Sequence, residues 1–369
     1  NRKKDLELFR GVVQPKPNRP KAKNNSHRRI SFADLTQDSI YGGFCQEMKK
    51  ANLQLSKNDD LNVDLLLRPR IFEDYVGQET IKKALSVILG AAKQRNEAPD
   101  HLLFYGPAGL GKTTLAHLVA FDLGAQIKET SGPALEKTGD LAAVLTNLEP
   151  RDVLFIDEAH RLSKPIEEVL YPAMETRKLN IVLGKGPAAR TISLDLPPFT
   201  LIAATTRVNM LSNPLRSRFG ASFRLDYYSL ENIESIIEKS AKILDIGIEE
   251  SGIARLAAAS RFTPRIANRL LKRSRDFAEM NKIQMIDGQT IKKVLELLDI
   301  DEFGLEYIDR KFLGIIENQF KGGPVGLNTL SAALGEEKGV IEEVYEPYLM
   351  KIGFLKRTSG GRVVTDAAK

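Results

Sequence analysis

Eight residues, Gly106-Pro107-Ala108-Gly109-Leu110-Gly111-Lys112-Thr113, constrain this chain more than any other stretch. They fit the spacing G-x-x-x-x-G-K-[ST], in which glycines let backbone N–H groups turn inward around phosphate oxygens. Such a loop needs a strand before it and a helix after it. Leu102 to Tyr105 is an apolar run of strand length. Thr114 to Leu123 carries Leu115, Leu118, Val119 and Leu123 at helical spacing, and Gly124 stops it. The helix N-terminus adds its positive end to the loop. Gly109, Leu110 and Gly111 form the turn, Lys112 is spaced to reach the β- and γ-phosphates, and the Thr113 hydroxyl is suited to Mg2+.

Composition narrows the setting. The chain has 369 residues, enough for two or three domains, with 42% hydrophobic and 28% charged residues, as in soluble globular proteins. No apolar run approaches the roughly 18 residues of a membrane span, and the first residues lack the layout of a signal peptide. A single cysteine, Cys45, excludes an internal disulfide framework and points to a reducing compartment; four scattered histidines form no metal-ligand pattern. The net charge of +6 lies in residues 1–60, which hold 13 Lys/Arg and 7 Asp/Glu; the remainder holds 41 of each sign. Any nucleic-acid contact of the body is therefore local rather than a broad basic face.

Four regions follow from the patterning. Residues 1–63 read as a basic, disordered extension, since Gln14 to Arg29 is rich in proline and charge and nearly devoid of apolar residues. Residues 64–228 alternate strands (Leu102–Tyr105, Gln126–Thr130, Val153–Ile156, Phe199–Ala204) with helical patterns, the signature of a parallel sheet flanked by helices. Residues 229–300 are purely helical. Residues 301–369 read as helices followed by a hairpin around Gly360-Gly361, a winged-helix pattern.

Further chemistry lies beyond the loop. Val153 to Ile156 ends in Asp157-Glu158. The first acid, on a strand expected beside the phosphate-loop strand, is suited to Mg2+, and the second to polarising water. The alternative is a strand and a capped helix with solvated acids. Phe199 to Ala204 leads to Thr205-Thr206, hydroxyls expected near a γ-phosphate, with strand capping as the alternative. Arg216 and Arg218 follow; an arginine there either stabilises transition-state charge on a neighbour's phosphate or makes surface ion pairs. Thr263-Pro264-Arg265 opens a helix in the all-helical region. Asn180 to Gly184 and Arg190 to Leu196 alternate about Gly184-Lys185-Gly186-Pro187, a hairpin that gathers Ile181, Leu183, Ile192 and Leu194 on one face.

Together these segments resemble the AAA+ ATPases and, within them, the RuvB family of Holliday-junction branch-migration motors. The resemblance runs from about Leu66 to Arg362 and includes Leu67-Arg68-Pro69-Arg70, Tyr75-Val76-Gly77-Gln78, Glu168 to Glu175 and Gly322 to Leu327. It implies an α/β AAA+ domain, an all-α lid and a C-terminal winged-helix head. It also implies ATP and Mg2+ as ligands, with Leu67, Arg68, Tyr75, Val76, Thr114 and Tyr228 in the nucleotide pocket. Asp157 takes the place of the Mg2+-associated acid, Glu158 the general base, Thr206 sensor one, Arg218 the trans-acting arginine finger and Arg265 sensor two. Glu175, Thr176 and Arg177 fall where the family approaches nucleotide, and only Glu175 matches well. Arg357 and Arg362 fall on the DNA-contacting tip, where Ser359 and Gly360 replace the usual Pro and middle Arg. The implied assembly is a cytoplasmic bacterial homohexamer on a DNA four-way junction. RuvA would bind through the 179–196 hairpin and the RuvC resolvase would join the larger complex. Two other classes stay open here: another AAA+ remodelling or clamp-loading ATPase, and a non-hydrolysing DNA-binding scaffold.

Overall fold

The computed structural model describes residues 60–183 and 190–368. The basic extension, as far as residue 59, and the hairpin turn at 184–189 lie outside the described residues. Helix α1 (Asp60–Leu66) opens the described chain, and Asp64 pairs with the nearly buried Lys272 at 2.8 Å. Helix α2 (Glu79–Arg95) then presents Ile81, Leu85, Leu89 and Ala92 to the core at three- and four-residue spacing.

The sheet strands are β1 (Leu102–Tyr105), β2 (Ile127–Ser131), β3 (Val153–Asp157), β6 (Thr200–Thr205) and β7 (Ala221–Arg224); β4 (Lys178–Leu183) and β5 (Arg190–Asp195) pair separately as the antiparallel hairpin. Among the described residues the parallel sheet has the order β2-β3-β6-β1-β7. This corrects the expectation that β3 lies beside β1. The first crossover carries the chain outward from β1 to the edge strand β2, β3 then returns beside it, and β6 fills the slot between β3 and β1. The strand β7 was not read from the sequence, because its alternating, half-exposed Ala221-Ser222-Phe223-Arg224 lacks the continuous apolar run of buried parallel strands.

Helices α3 (Lys112–Leu123), α4 (Thr138–Thr146), α5 (Lys164–Glu175) and the short α6 (Asn213–Arg216) cover the sheet. Period-2 alternation divides its core. Leu102 and Phe104 of β1 join Phe155, Leu115 and Leu85 on one face. Leu103 joins Leu154, Leu141, Ile166 and Leu170 on the other.

The helical region contains α7 (Leu230–Leu244), α8 (Glu250–Ala258), α9 (Pro264–Met280) and α10 (Gly288–Leu297). Ser229 and Asp287 cap α7 and α10 by accepting the N–H of Asn232 and Thr290. Ile233, Ile237, Leu270 and Leu271 merge with the core on the α3 side of the sheet, so this region and the sheet domain share one apolar layer. The last region contains α11 (Tyr307–Phe320), α12 (Leu327–Leu334), α13 (Lys338–Val340), a π-helical turn (Ile341–Tyr345), α14 (Glu346–Lys351) and the hairpin β8 (Leu355–Thr358) and β9 (Gly361–Val364). It has its own core, in which Phe312, Ile316, Leu330 and Leu349 are fully buried. No helix among the described residues is long and apolar enough to cross a membrane.

Candidate functional site

The phosphate loop lies at the C-terminal ends of β1, β3 and β6, where open parallel sheets bind ligands. Gly106 takes φ +141°, and a Cβ there would sit 2.4 Å from the Leu225 carbonyl oxygen. Its N–H donates to Thr205 O at 3.2 Å, which ties the loop to β6. Gly111 (φ +93°) leads into α3, whose first turn carries no acid, so its positive end faces the loop unopposed.

Lys112 is 8% exposed. Its Nζ donates to Gly106 O at 2.9 Å and Pro107 O at 2.7 Å. Burial pulls its pKa down to about 8, against the opposing influence of the Asp157 carboxylate. From the first turn of α3, Thr113 Oγ1 reaches over β6 to donate to Asp157 Oδ2 at 3.3 Å. The structure therefore brings loop and acid together although their strands are not neighbours. Glu158 adopts φ +48° and its side chain is half exposed, 3.3 Å from the Arg161 guanidinium. Thr206, half-buried, follows the end of β6. The adjoining Thr205 is buried, with Oγ1 3.0 Å from His160 Nδ1.

The helical region closes the other side. A Cβ on Gly109 would meet Arg265 Cβ at 3.2 Å, so Arg265 stands against the phosphate loop. Tyr75 and Tyr228 are buried, with their hydroxyls 2.9 Å apart, and Tyr228 Oη lies 3.3 Å from Leu110 O. Burial pushes Tyr228 up to about 12 and Tyr75 well above the usual range, so both stay protonated. Leu67 is buried and Arg68 half-buried at the start of this wall, and Val76 follows Tyr75. Leu110 is fully buried beneath the loop, and Thr114 follows Thr113 in the first turn of α3.

Arg218 is held elsewhere. Its guanidinium lies over the Tyr171 ring at 4.4 Å, pairs with Glu175 at 3.1 Å and donates to Pro214 O at 2.6 Å. Thr176 Oγ1 donates to Pro172 O, and Arg177 donates to Phe199 O at 2.7 Å while covering its ring. The bonds of Glu175, Thr176 and Arg177 run to their own surroundings and not to the phosphate loop of the same chain. On the wing, Arg362 is buried, bonded to Glu346 at 2.7 Å and to Glu342 at 3.2 Å, and Arg357 also pairs with Glu346. These two arginines are turned onto α14 and the π turn instead of standing free at the hairpin tip; the exposed Ser359 and Gly360 add no charge there. Sequence reasoning missed Thr205, His160, Tyr171 and Arg207 as partners. Only the hydroxyl pair Thr205-Thr206 carried a local signal, and it left open which threonine turns inward.

Family models describe every region of this architecture. A "Holliday junction DNA helicase RuvB P-loop domain" matches residues 67–225, a "RuvB AAA lid domain" 228–301 and a "RuvB C-terminal winged helix domain" 302–369. The solved structure of the Thermotoga maritima RuvB Holliday junction branch migration motor is 49% identical over 82% of this chain and 97% of that one, with a TM-score of 0.76. Two point mutants of the same protein superpose equally well. Each is 49% identical, over 82% of this chain and 96% of theirs, with TM-scores of 0.76 and 0.77.

Proposed function

Because the chain belongs to the RuvB family of Holliday junction branch-migration motors and carries its ATP-binding P-loop domain, lid and winged helix, we propose how its residues divide the work. The observation that carries the assignment is the convergence of Lys112, Thr113, Asp157 and Arg265 on one glycine loop from three separate elements. ATP phosphates sit in residues 106–113, with Lys112 exchanging its loop carbonyls for β- and γ-oxygens. Leu67, Arg68, Tyr75, Val76, Thr114 and Tyr228 wall the base and ribose side.

Thr113 and Asp157 would hold Mg2+. Two hard oxygens 3.3 Å apart suit an ion that keeps water and phosphate oxygens for the rest of its shell. Among the described residues no larger His, Cys, Asp or Glu cluster competes for it. A bound Mg2+ supplies charge neutralisation at the phosphate oxygens. Glu158 takes the proton of the attacking water, Thr206 orients that water, and Arg265 registers the phosphate from the lid. Arg218, with Glu175, Thr176 and Arg177 around it, serves the site of the neighbouring copy in a homohexamer. The head contacts junction DNA near Arg357 and Arg362. The hairpin 179–196 receives RuvA through Ile192 and Leu194, which stay 43% and 38% exposed while Leu179 is buried. RuvC joins the larger assembly.

The test is branch migration of a synthetic four-way junction with ATP and Mg2+, with and without RuvA. Glu158→Gln retains nucleotide affinity and loses about 10²–10⁴-fold in turnover, the usual loss with a general base. Unchanged turnover removes Glu158 from the chemistry.

A further inference from the structure

Arg207 joins the nucleotide side of the sheet to the winged-helix head. It follows Thr205-Thr206 at the end of β6, and its N–H donates to Thr205 Oγ1 at 2.9 Å. The Thr205 hydroxyl therefore has its own proton to offer His160 Nδ1, 3.0 Å away and two residues beyond Glu158. Burial lowers the His160 pKa, which favours the neutral ring this bond requires. One hydrogen-bonded path thus runs from the acid loop through β6 to the Arg207 backbone. The Arg207 side chain leaves the sheet domain, pairs with Glu343 and lies against Gly339, where a Cβ would come within 2.6 Å of Nη2.

Glu343 sits in the π-helical turn, a local change of helical register often found at functional positions. Its acidic neighbours Glu342 and Glu346 face the wing arginines Arg357 and Arg362. Glu343 alone of these three acids faces the sheet domain. The side chains of the Arg207–Glu343 pair are 31% and 28% exposed, so water can replace either partner.

The head is fastened to the lid in a different way. Phe262 packs into the head's apolar core. Arg261 donates to Gly304 O at 2.8 Å, pairs with the fully buried Asp309 and lies 4.9 Å over the Tyr348 ring. The same turn accepts the Tyr228 N–H at Phe262 O and leads directly to Arg265. Among the described residues, the sheet domain contributes nothing to the head's apolar core. Head and lid therefore share apolar and buried ionic contacts, whereas a polar, water-accessible pair ties the head to the end of β6.

We propose that Arg207–Glu343 is a latch that holds the winged-helix head against the ATPase domain and is released when the nucleotide site moves the β6 end relative to the lid. The latch rests on the assignment of residues 106–113 and 157–158 as the ATP site. It adds a second route of coupling, through β6, to the one through Arg265.

The test uses the full chain with Cys45→Ser and spin labels at Val87→Cys, on the exposed face of α2, and Lys311→Cys, on the exposed face of α11, diluted into unlabelled protein. Without nucleotide, wild type gives one narrow distance population, and Glu343→Gln shifts or broadens it. Combining Arg207→Glu with Glu343→Arg restores the narrow population. A slowly hydrolysed ATP analogue redistributes the wild type toward the Glu343→Gln pattern. Glu343→Gln keeps junction-free ATP turnover within about twofold, while migration per ATP falls about tenfold, a coupling loss of ordinary size. Identical distances for wild type and Glu343→Gln overturn the latch, as does failure of the charge exchange to restore them. Indifference of the wild-type distances to the analogue overturns its coupling to nucleotide. A wild-type chain that neither binds nor hydrolyses ATP refutes the ATP-site assignment instead, and the nucleotide-free distances still decide the latch.

Discussion

Lys112 gives up water to occupy the loop, and its two carbonyl partners do not fully replace that solvation. With a pKa of about 8, a substantial fraction is neutral at mildly alkaline pH. Polyphosphate beside it favours the ammonium, so nucleotide binding takes up about half a proton at pH 8 and almost none at pH 6.5. Calorimetric titration at pH 8 in buffers of different ionisation enthalpy reads this directly, and a buffer-independent heat contradicts it. His101 illustrates a structural histidine under the same physics. Its Nδ1 accepts the Leu201 N–H at 2.9 Å, which leaves the Nε2 proton for Met174 O at 3.2 Å. Burial lowers its pKa to about 4, with Arg177 adding to the effect. The unfolded chain then binds a proton that the folded chain refuses between about pH 6.5 and 4. Stability is full above that window and falls by about 3 kcal/mol as pH drops through it. In urea unfolding at pH 7 and 4.5, His101→Gln, which cannot titrate, should flatten that part of the pH dependence.

At the scale of elements, the wing is held to α14 by a buried charge. Glu346 is 1% exposed and lies between Arg357 and Arg362. Removing the buried Arg362 leaves that carboxylate with only the half-exposed Arg357, a loss of about 3 kcal/mol for a broken buried pair. Arg362→Ala should therefore lower the melting temperature of the head and weaken junction binding together. A variant that melts normally but binds weakly would instead assign Arg362 to DNA contact alone. The strands β1, β3 and β6 were readable because buried parallel strands are continuous apolar runs, and the loop and acids because their spacing is local; β2, half-exposed at the sheet edge, carries no such run. Strand order was not readable: the place of β6 between β3 and β1 is set by crossover connections, not by any residue in the strands. Inward-turned Arg357 and Arg362 escaped notice because their partners Glu342 and Glu346 look, in sequence, like solvated acids on a helix. A nucleotide-reporting role for Arg265 was legible at the opening of its helix, but its place against Gly109 was not, since nothing local to Thr263-Pro264-Arg265 points to a glycine far earlier in the chain.

For the whole molecule, the local partners of Arg218, none of them on the phosphate loop of its own chain, bear on the proposed unit of activity. Arg218 is clamped by Tyr171, Glu175 and Pro214 O, and its buried Nε has no hydrogen-bond partner among the described residues. Reaching Lys112 of the same chain would require dismantling that clamp, whereas the proposed ring would bring one copy's Arg218 face to the next copy's loop. Loss of such an arginine costs about 10³–10⁵ in rate, and loss of Lys112 removes phosphate binding. Arg218→Ala and Lys112→Ala are therefore each expected to be inactive as uniform rings. Mixed in equal amounts before assembly, they create interfaces in which an Arg218→Ala subunit supplies an intact loop and a Lys112→Ala subunit supplies an intact arginine. Random placement in a closed ring makes about one interface in four productive, so ATP turnover should recover to a comparable fraction of wild type. If both residues served one site within a single chain, every subunit in the mixture would still lack one of them. Turnover would then stay at the level of the separate variants, and the shared-site arrangement would be wrong.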